Sequence, residues 1–130
     1  MFIGRETRKM DFRERQNGVA ALEFAVVVPL LLIMILVVVE FGFRFERATV
    51  LNNAAFIAAR DMTANHDVAK ATTAARNAGA PTSATISVSS GPCSTGNNVT
   101  VIITSTETSA TKAFGETFAV TGTGVARCDG

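Results

Sequence analysis

The chain has 130 residues, a net charge of +1, and neither Trp nor Tyr. Apart from one long apolar stretch, this length leaves room for only one small folded domain. The single histidine, the few carboxylates and the two cysteines offer neither a tetrahedral metal set nor a convergent catalytic set. We therefore predict a protein that is not an enzyme and that needs no metal and no cofactor.

Residues 1–18 form a polar leader that mixes basic and acidic side chains and shows no helical apolar periodicity. We expect this leader to be flexible. Its five basic residues, compared with Arg44 and Arg47 beyond the apolar stretch, predict a cytoplasmic N-terminus and an external C-terminal part. The leader is too short, and carries too many acidic side chains among its basic ones, to predict a nucleic-acid partner.

Residues 19–40 follow as an apolar run whose first 21 residues contain a single charge, Glu23. At about 1.5 Å per residue, a helix of this length covers roughly the 30 Å of a bilayer core. The run predicts a transmembrane helix in contact with lipid, with a kink or a loosened turn at Pro29. Glu23 either stays hydrated near the headgroups or has a partner, because an unpaired carboxylate facing lipid is costly.

A glycine followed by an apolar run, with an acid at the fifth position, resembles the processing site of type IV prepilins. Three stretches narrow this resemblance to the TadE-like family. They are R-Q-N-G-V-A-A-L-E-F-A-V-V-V-P-L-L-L, then V-E-F-G-F-R-F, and then L-N-N-A-A-F-I-A-A-R. These are minor pseudopilins of tight-adherence (Flp-type) pilus systems. Phe24 stands where the major Flp pilins typically have tyrosine, which favours a minor subunit.

The resemblance implies cleavage between Gly18 and Val19 by a prepilin peptidase, with Glu23, Phe24 and Pro29 as the assembly and processing motif. It also implies a single-pass protein of the bacterial inner membrane with a periplasmic C-terminal domain, and possible incorporation into an extracellular pilus. The expected partners are the peptidase, other pilin-like subunits and the pilus assembly platform. Two alternatives stay open: an uncleaved membrane-anchored binding or structural protein, and a secreted protein released by signal peptidase.

Residues 41–79 continue as a helical extension outside the membrane. Three- and four-residue steps predict an apolar stripe on this extension. The stripe comprises Phe41, Phe45, Ala48, Leu51 or Asn52, Ala55, Ala59 and Met62. The helix is expected to pause near residues 64–67, where Asn65 or Asp67 caps a second segment over about 68–78.

Residues 80–130 are predicted to form a small β-rich domain. Strands are expected at 84–90, 98–106 and 117–127, with Val99, Val101 and Ile103 on the buried face. Residues 107–116 are predicted to be a loop or a short helix that carries Phe114 inward. The expected fold class is α+β: a long pilin-like N-terminal helix followed by a three-stranded antiparallel sheet.

Cys93 and Cys128 are the two cysteines, and both fall in the part placed outside the membrane. In an oxidising periplasm they can pair, and we predict a disulfide that stabilises the small domain. Two free buried thiols are the alternative.

Overall fold

A computed structural model describes residues 7–89 and 93–129, with side chains from Gln16 onward. The elements are α1 (Thr7–Asn65), α2 (Val68–Asn77), β1 (Thr85–Val88), β2 (Asn98–Thr108) and β3 (Thr117–Arg127). The chain divides into two compact units, Met1–Val38 and Val39–Gly130. The second unit contains α2, the sheet and the C-terminal part of α1, so the predicted α+β class is confirmed.

The expectation of a flexible leader is wrong for the residues described, because α1 is already helical from Thr7. Arg, Lys, Glu and Gln are good helix formers. A helix that is already nucleated also extends without a new nucleation cost. Pro29 lies inside the same continuous helix. From Gln16 onward, α1 is long and apolar enough to cross a membrane and fits a single-pass anchor.

The predicted pause in the helix is confirmed at His66 and Asp67. The His66 N–H still donates to the Met62 carbonyl at 3.0 Å, while its φ of 54° turns the chain out of the helix. Asp67 then caps α2, and its Oδ1 accepts from the Ala69 N–H at 2.8 Å. A carboxylate in this position satisfies backbone donors that the first helical turn leaves without partners.

The sheet has the order β1-β2-β3 with both pairings antiparallel. Relative to the prediction, β1 is shorter, β2 continues to Thr108, and β3 has the predicted bounds. Val99, Val101 and Ile103 are buried as predicted, and Ile86 and Val88 of β1 are half-buried.

The core lies on one face of this sheet and is covered by one face of α1, with Ala71 and Ala75 of α2 buried in the same cluster. The buried residues of α1 are Leu51, Ala54, Ala55, Ala58, Ala59 and Met62. Phe41 and Phe45 are exceptions to the predicted stripe, since they are 71% and 68% exposed. In the first turns of the extension, the helix face that meets the sheet carries Glu40 and the half-buried Arg44 and Arg47 instead. The spacing of apolar residues predicts the wrong helix face in these turns, because polar side chains make the contact between helix and sheet.

Two glycines on β3 allow α1 to approach the sheet closely. A Cβ at Gly122 would overlap the backbone of Leu51, and one at Gly124 would overlap the backbone of Ala55. Since neither glycine has a side chain, the helix backbone lies directly on the strand. At the free edge of β3, the Thr123 N–H donates to Asn52 Oδ1 at 2.9 Å.

The end of the sheet that holds the last residues of β3 is closed by a disulfide between Cys93 and Cys128, whose Cα atoms are 5.5 Å apart. Cys128 is buried, and its N–H donates to the Asn97 carbonyl at 2.8 Å. At the opposite end, residues 109–116 form the β2–β3 loop. Phe114 in this loop is 55% exposed, so the expectation that it points inward is wrong.

Candidate assembly site

The residues of the predicted processing motif all lie on α1. Val19 is 59% exposed and Phe24 71% exposed, and Glu23 and Pro29 are exposed as well. A side chain added at Gly18 would meet no other atom within 4 Å. Val19 and Glu23 are four residues apart, so they lie on the same face of the helix. These side chains are therefore available to an external partner.

A second, polar feature of α1 begins where the apolar run ends, at Glu40. Although it is charged, Glu40 is only 3% exposed. Its Oε1 accepts from Ser109 Oγ at 2.7 Å and from Arg44 Nε at 3.2 Å. Its Oε2 accepts from the N–H and the hydroxyl of Thr111, both at 3.1 Å. An ionised carboxylate only accepts hydrogen bonds, and each of these four contacts supplies a donor.

The β2–β3 loop is shaped to present these donors. The Ser109 N–H donates to the Glu116 carbonyl at 2.9 Å, which closes the base of the loop. The Lys112 N–H donates to Ser109 Oγ at 3.2 Å. Lys112 and Gly115 have φ angles of 55° and 116°, which reverse the chain. The loop thus brings Ser109 and Thr111 to the helix while its tip stays exposed.

Two arginines extend the contact one turn further along α1. The Arg44 guanidinium lies 4.4 Å from the centroid of the Phe118 ring, and that of Arg47 lies 5.1 Å from the centroid of Phe43. The Phe43 and Phe118 rings meet edge to face, with centroids 6.2 Å apart. Such cation–π and aromatic contacts favour one defined geometry. They hold the start of β3 against the helix.

The end of β2 contributes a carboxylate to the same contact. Glu107 Oε2 lies 3.8 Å from Arg47 Nε, and Glu107 Oε1 accepts from Ser105 Oγ at 2.8 Å. We define Glu40, Arg44, Arg47, Glu107, Ser109 and Thr111 as the junction cluster. In this cluster, polar contacts join the helix immediately after the apolar run to the β2–β3 end of the sheet.

Sequence reasoning treated Glu40 only as the end of the apolar run and did not find its partners. One local signal was present, because Glu40 and Arg44 are spaced as an i,i+4 ion pair. Ser109 and Thr111 lie about 70 positions further along the chain and stand among many other Ser and Thr residues. Their role depends on the sheet register, which brings the β2–β3 loop to the helix.

Titratable side chains in the described part of the chain show no metal-binding arrangement. Across residues 16–89 and 93–129, no three His, Cys, Asp or Glu side chains lie close enough to hold one ion. The junction cluster is instead an internal contact of hydrogen bonds and ion pairs.

Comparison with known protein families gives a match to the N-terminal part of the chain. Residues 18–60 match the family described as TadE-like protein. Neither the curated proteins nor the solved structures contain a significant match. The matched range starts at Gly18, includes Glu23 and Glu40, and takes in Leu51, Ala55 and Ala59 of the helix face that covers the sheet. The predicted resemblance is thus confirmed, and residues 18–60 of this chain are a TadE-like segment.

Proposed function

We propose that this chain is a minor pseudopilin of a tight-adherence (Flp-type) pilus system. It is held in the bacterial inner membrane, cleaved after Gly18 by a prepilin peptidase, and joined to pilin-like subunits through its helix. The observation that carries the proposal is the TadE-like match over residues 18–60, which includes both the predicted cleavage site and the apolar run. The assembly role is the one the family resemblance implies.

The exposure of α1 supports a membrane location before assembly. Through residues 19–39 the large apolar side chains are exposed on every side of the helix, apart from the half-exposed Val28. A helix that is apolar all round is stable only in lipid or against other apolar helices. A subunit stored in the membrane and later packed among other subunits meets each of these environments in turn.

Cleavage after Gly18 would change the surroundings of Glu23. In the uncleaved chain Glu23 lies in the interior of α1. After cleavage it is the fifth residue of the new chain, near a free amine and the positive end of the helix dipole. Both favour a carboxylate at this position. The amine of the same chain or of a neighbouring subunit can supply the partner that Glu23 needs in an apolar environment.

The proposal is tested by the intact mass and N-terminal sequence of the protein purified from the envelope of its own host. A mature start at Val19 supports it. A start at Met1 contradicts it and favours the uncleaved membrane-anchored alternative. A start beyond the apolar run identifies a secreted protein.

A second experiment separates processing from assembly. Glu23→Gln is expected to leave cleavage largely intact and to reduce the amount of subunit recovered with sheared pili. Glu46→Gln is the matched control, since Glu46 is an exposed residue on the same helix outside the apolar run. Equal recovery of both variants would contradict the role proposed for Glu23.

A further inference from the structure

The tip of the β2–β3 loop carries an exposed aromatic ring with no role in the junction cluster. Phe114 is 55% exposed and lies two residues after Lys112, which is exposed as well. The loop itself is held in place, because Ser109 and Thr111 donate hydrogen bonds to the buried Glu40. A single exposed apolar ring is common at a protein surface, so its role depends on where the loop lies along the chain relative to the apolar run.

The position of Glu40 along the chain indicates which surface the loop faces. Glu40 directly follows Val39, the last residue of the apolar run. A loop bound to Glu40 is therefore held at the first residue beyond the apolar run. Phe41 and Phe45, both largely exposed, follow within the next two helical turns. In sequence, exposed aromatic side chains thus come directly after the predicted membrane span.

We propose that the β2–β3 loop is a membrane-contact element, which inserts Phe114 into the headgroup region of the leaflet that α1 leaves. The inference rests on the membrane anchor in the proposed function and goes beyond it. Phe is among the side chains that interfacial segments bury at this depth, although the aromatic belts of membrane proteins consist of Trp and Tyr. The Lys112 stem can lie along the apolar boundary while its ammonium group reaches lipid phosphates. Glu40 fixes the loop, so the domain meets the membrane at two points, the helix and the loop.

A second membrane contact constrains the domain more than a single helix does. With α1 as the sole anchor, the helix and the domain bonded to it can tilt and rotate in the bilayer. The added contact at Phe114 restricts both motions, because the loop is bonded to Glu40. The sheet is then held in one orientation relative to the membrane surface.

The test uses the full chain reconstituted in phosphatidylcholine–phosphatidylglycerol vesicles. The protein contains no Trp, so each Trp substitution gives a single fluorophore. Phe114→Trp reports on the loop and Phe41→Trp on the exit of the helix. Val125→Trp is the negative control, since Val125 is exposed near the opposite end of β3. Lipids brominated at different depths then quench each Trp according to its position in the bilayer.

The expected result is that Trp at positions 114 and 41 is quenched most by lipids brominated near the headgroups. This places both within about 5–10 Å of the headgroup–acyl boundary, and Trp at position 125 is not quenched. Quenching at position 41 without quenching at 114 would overturn the loop contact and leave the anchor intact. Absence of quenching at both positions would overturn the membrane anchor as well.

A second set of variants tests whether Glu40 positions the loop. Ser109→Ala combined with Thr111→Val, placed in the Phe114→Trp chain, removes the two hydroxyl groups that donate to Glu40. The quenching at position 114 is expected to fall toward the level seen at position 125. Unchanged quenching would show that the loop reaches the membrane without the Glu40 contact and would overturn this part of the inference.

Discussion

Ser109 Oγ donates a hydrogen bond to Glu40 Oε1 at 2.7 Å, across 69 positions of the chain. Glu40 ends the apolar run of α1, and Ser109 begins the loop between β2 and β3. A buried carboxylate without donors is costly, so this contact strongly favours the observed loop conformation. The exit of the apolar helix and one end of the sheet are thereby joined.

The first prediction concerns Glu40→Gln. The new amide group replaces an acceptor oxygen with a donor, which then faces other donors or loses its partners. We expect faster hydrogen exchange over residues 109–112, measured by mass spectrometry on the full chain in detergent micelles. Glu46→Gln makes the same chemical change at an exposed site and is expected to leave the hydrogen exchange of residues 109–112 unaltered. Equal exchange in both variants would contradict the assigned role of Glu40.

The second prediction concerns the close approach of α1 to β3. Gly122→Ala and Gly124→Ala each place a Cβ where the helix backbone lies. Overpacking of this kind costs about 1–3 kcal/mol or more of unfolding free energy. Gly42→Ala is the control, because it lies on α1 with open space around it and replaces glycine with a better helix former. Thermal unfolding in micelles should rank both β3 variants below the control, and the reverse order would count against this packing.

The third prediction concerns the disulfide. Replacing Cys93 and Cys128 together by Ser opens a loop of sequence separation 35, which the chain-entropy argument values at roughly 3–4 kcal/mol. We expect the sheet to unfold at lower denaturant concentration while the apolar part of α1 stays helical. Ser94→Ala, beside Cys93, is the local control. If the double variant unfolds at the same concentration as Ser94→Ala, the disulfide does not stabilise the domain.

The fourth prediction concerns the start of α2. Asp67→Ala removes the side chain that accepts from the Ala69 N–H at 2.8 Å. Loss of an N-cap typically costs about 1 kcal/mol. Asp67→Asn keeps an acceptor in the same place and is expected to recover most of the loss. Chemical denaturation of the two variants provides the test: unchanged stability of Asp67→Ala would show that the cap contributes little, and equal destabilisation of both would show that an acceptor oxygen alone does not restore it.

The fifth prediction concerns Gly18 as the processing site. The approach of a peptidase to the Gly18–Val19 bond is easiest where no side chain covers the backbone. Gly18→Val is therefore expected to leave the leader attached in the native host. Gly42→Val makes the same change further along α1 and is expected to leave processing unaffected. The intact masses of the two variants distinguish the outcomes, and normal processing of Gly18→Val would place the cleavage elsewhere.

Much of the fold was predictable because its signals are local. The capping side chain of Asp67, the alternation of Val99, Val101 and Ile103, and the α+β order of elements were all evident from short stretches of sequence. The predicted burial of Phe41 and Phe45 failed, because a three- and four-residue period shows that a helix has faces without showing which face the sheet covers. The inward position predicted for Phe114 failed for a similar reason, since hydrophobicity alone does not give a loop its direction.

The long apolar helix, the TadE-like segment and the strands could be predicted, because they depend on residue type and on spacing along one stretch of chain. The role of Glu40, the partners of Arg44 and Arg47, and the need for glycine at positions 122 and 124 emerge only once helix and sheet are packed together. Each of these depends on strand register and on how closely the helix lies on the sheet. Those distances arise between residues far apart in the chain, where local periodicity carries no information.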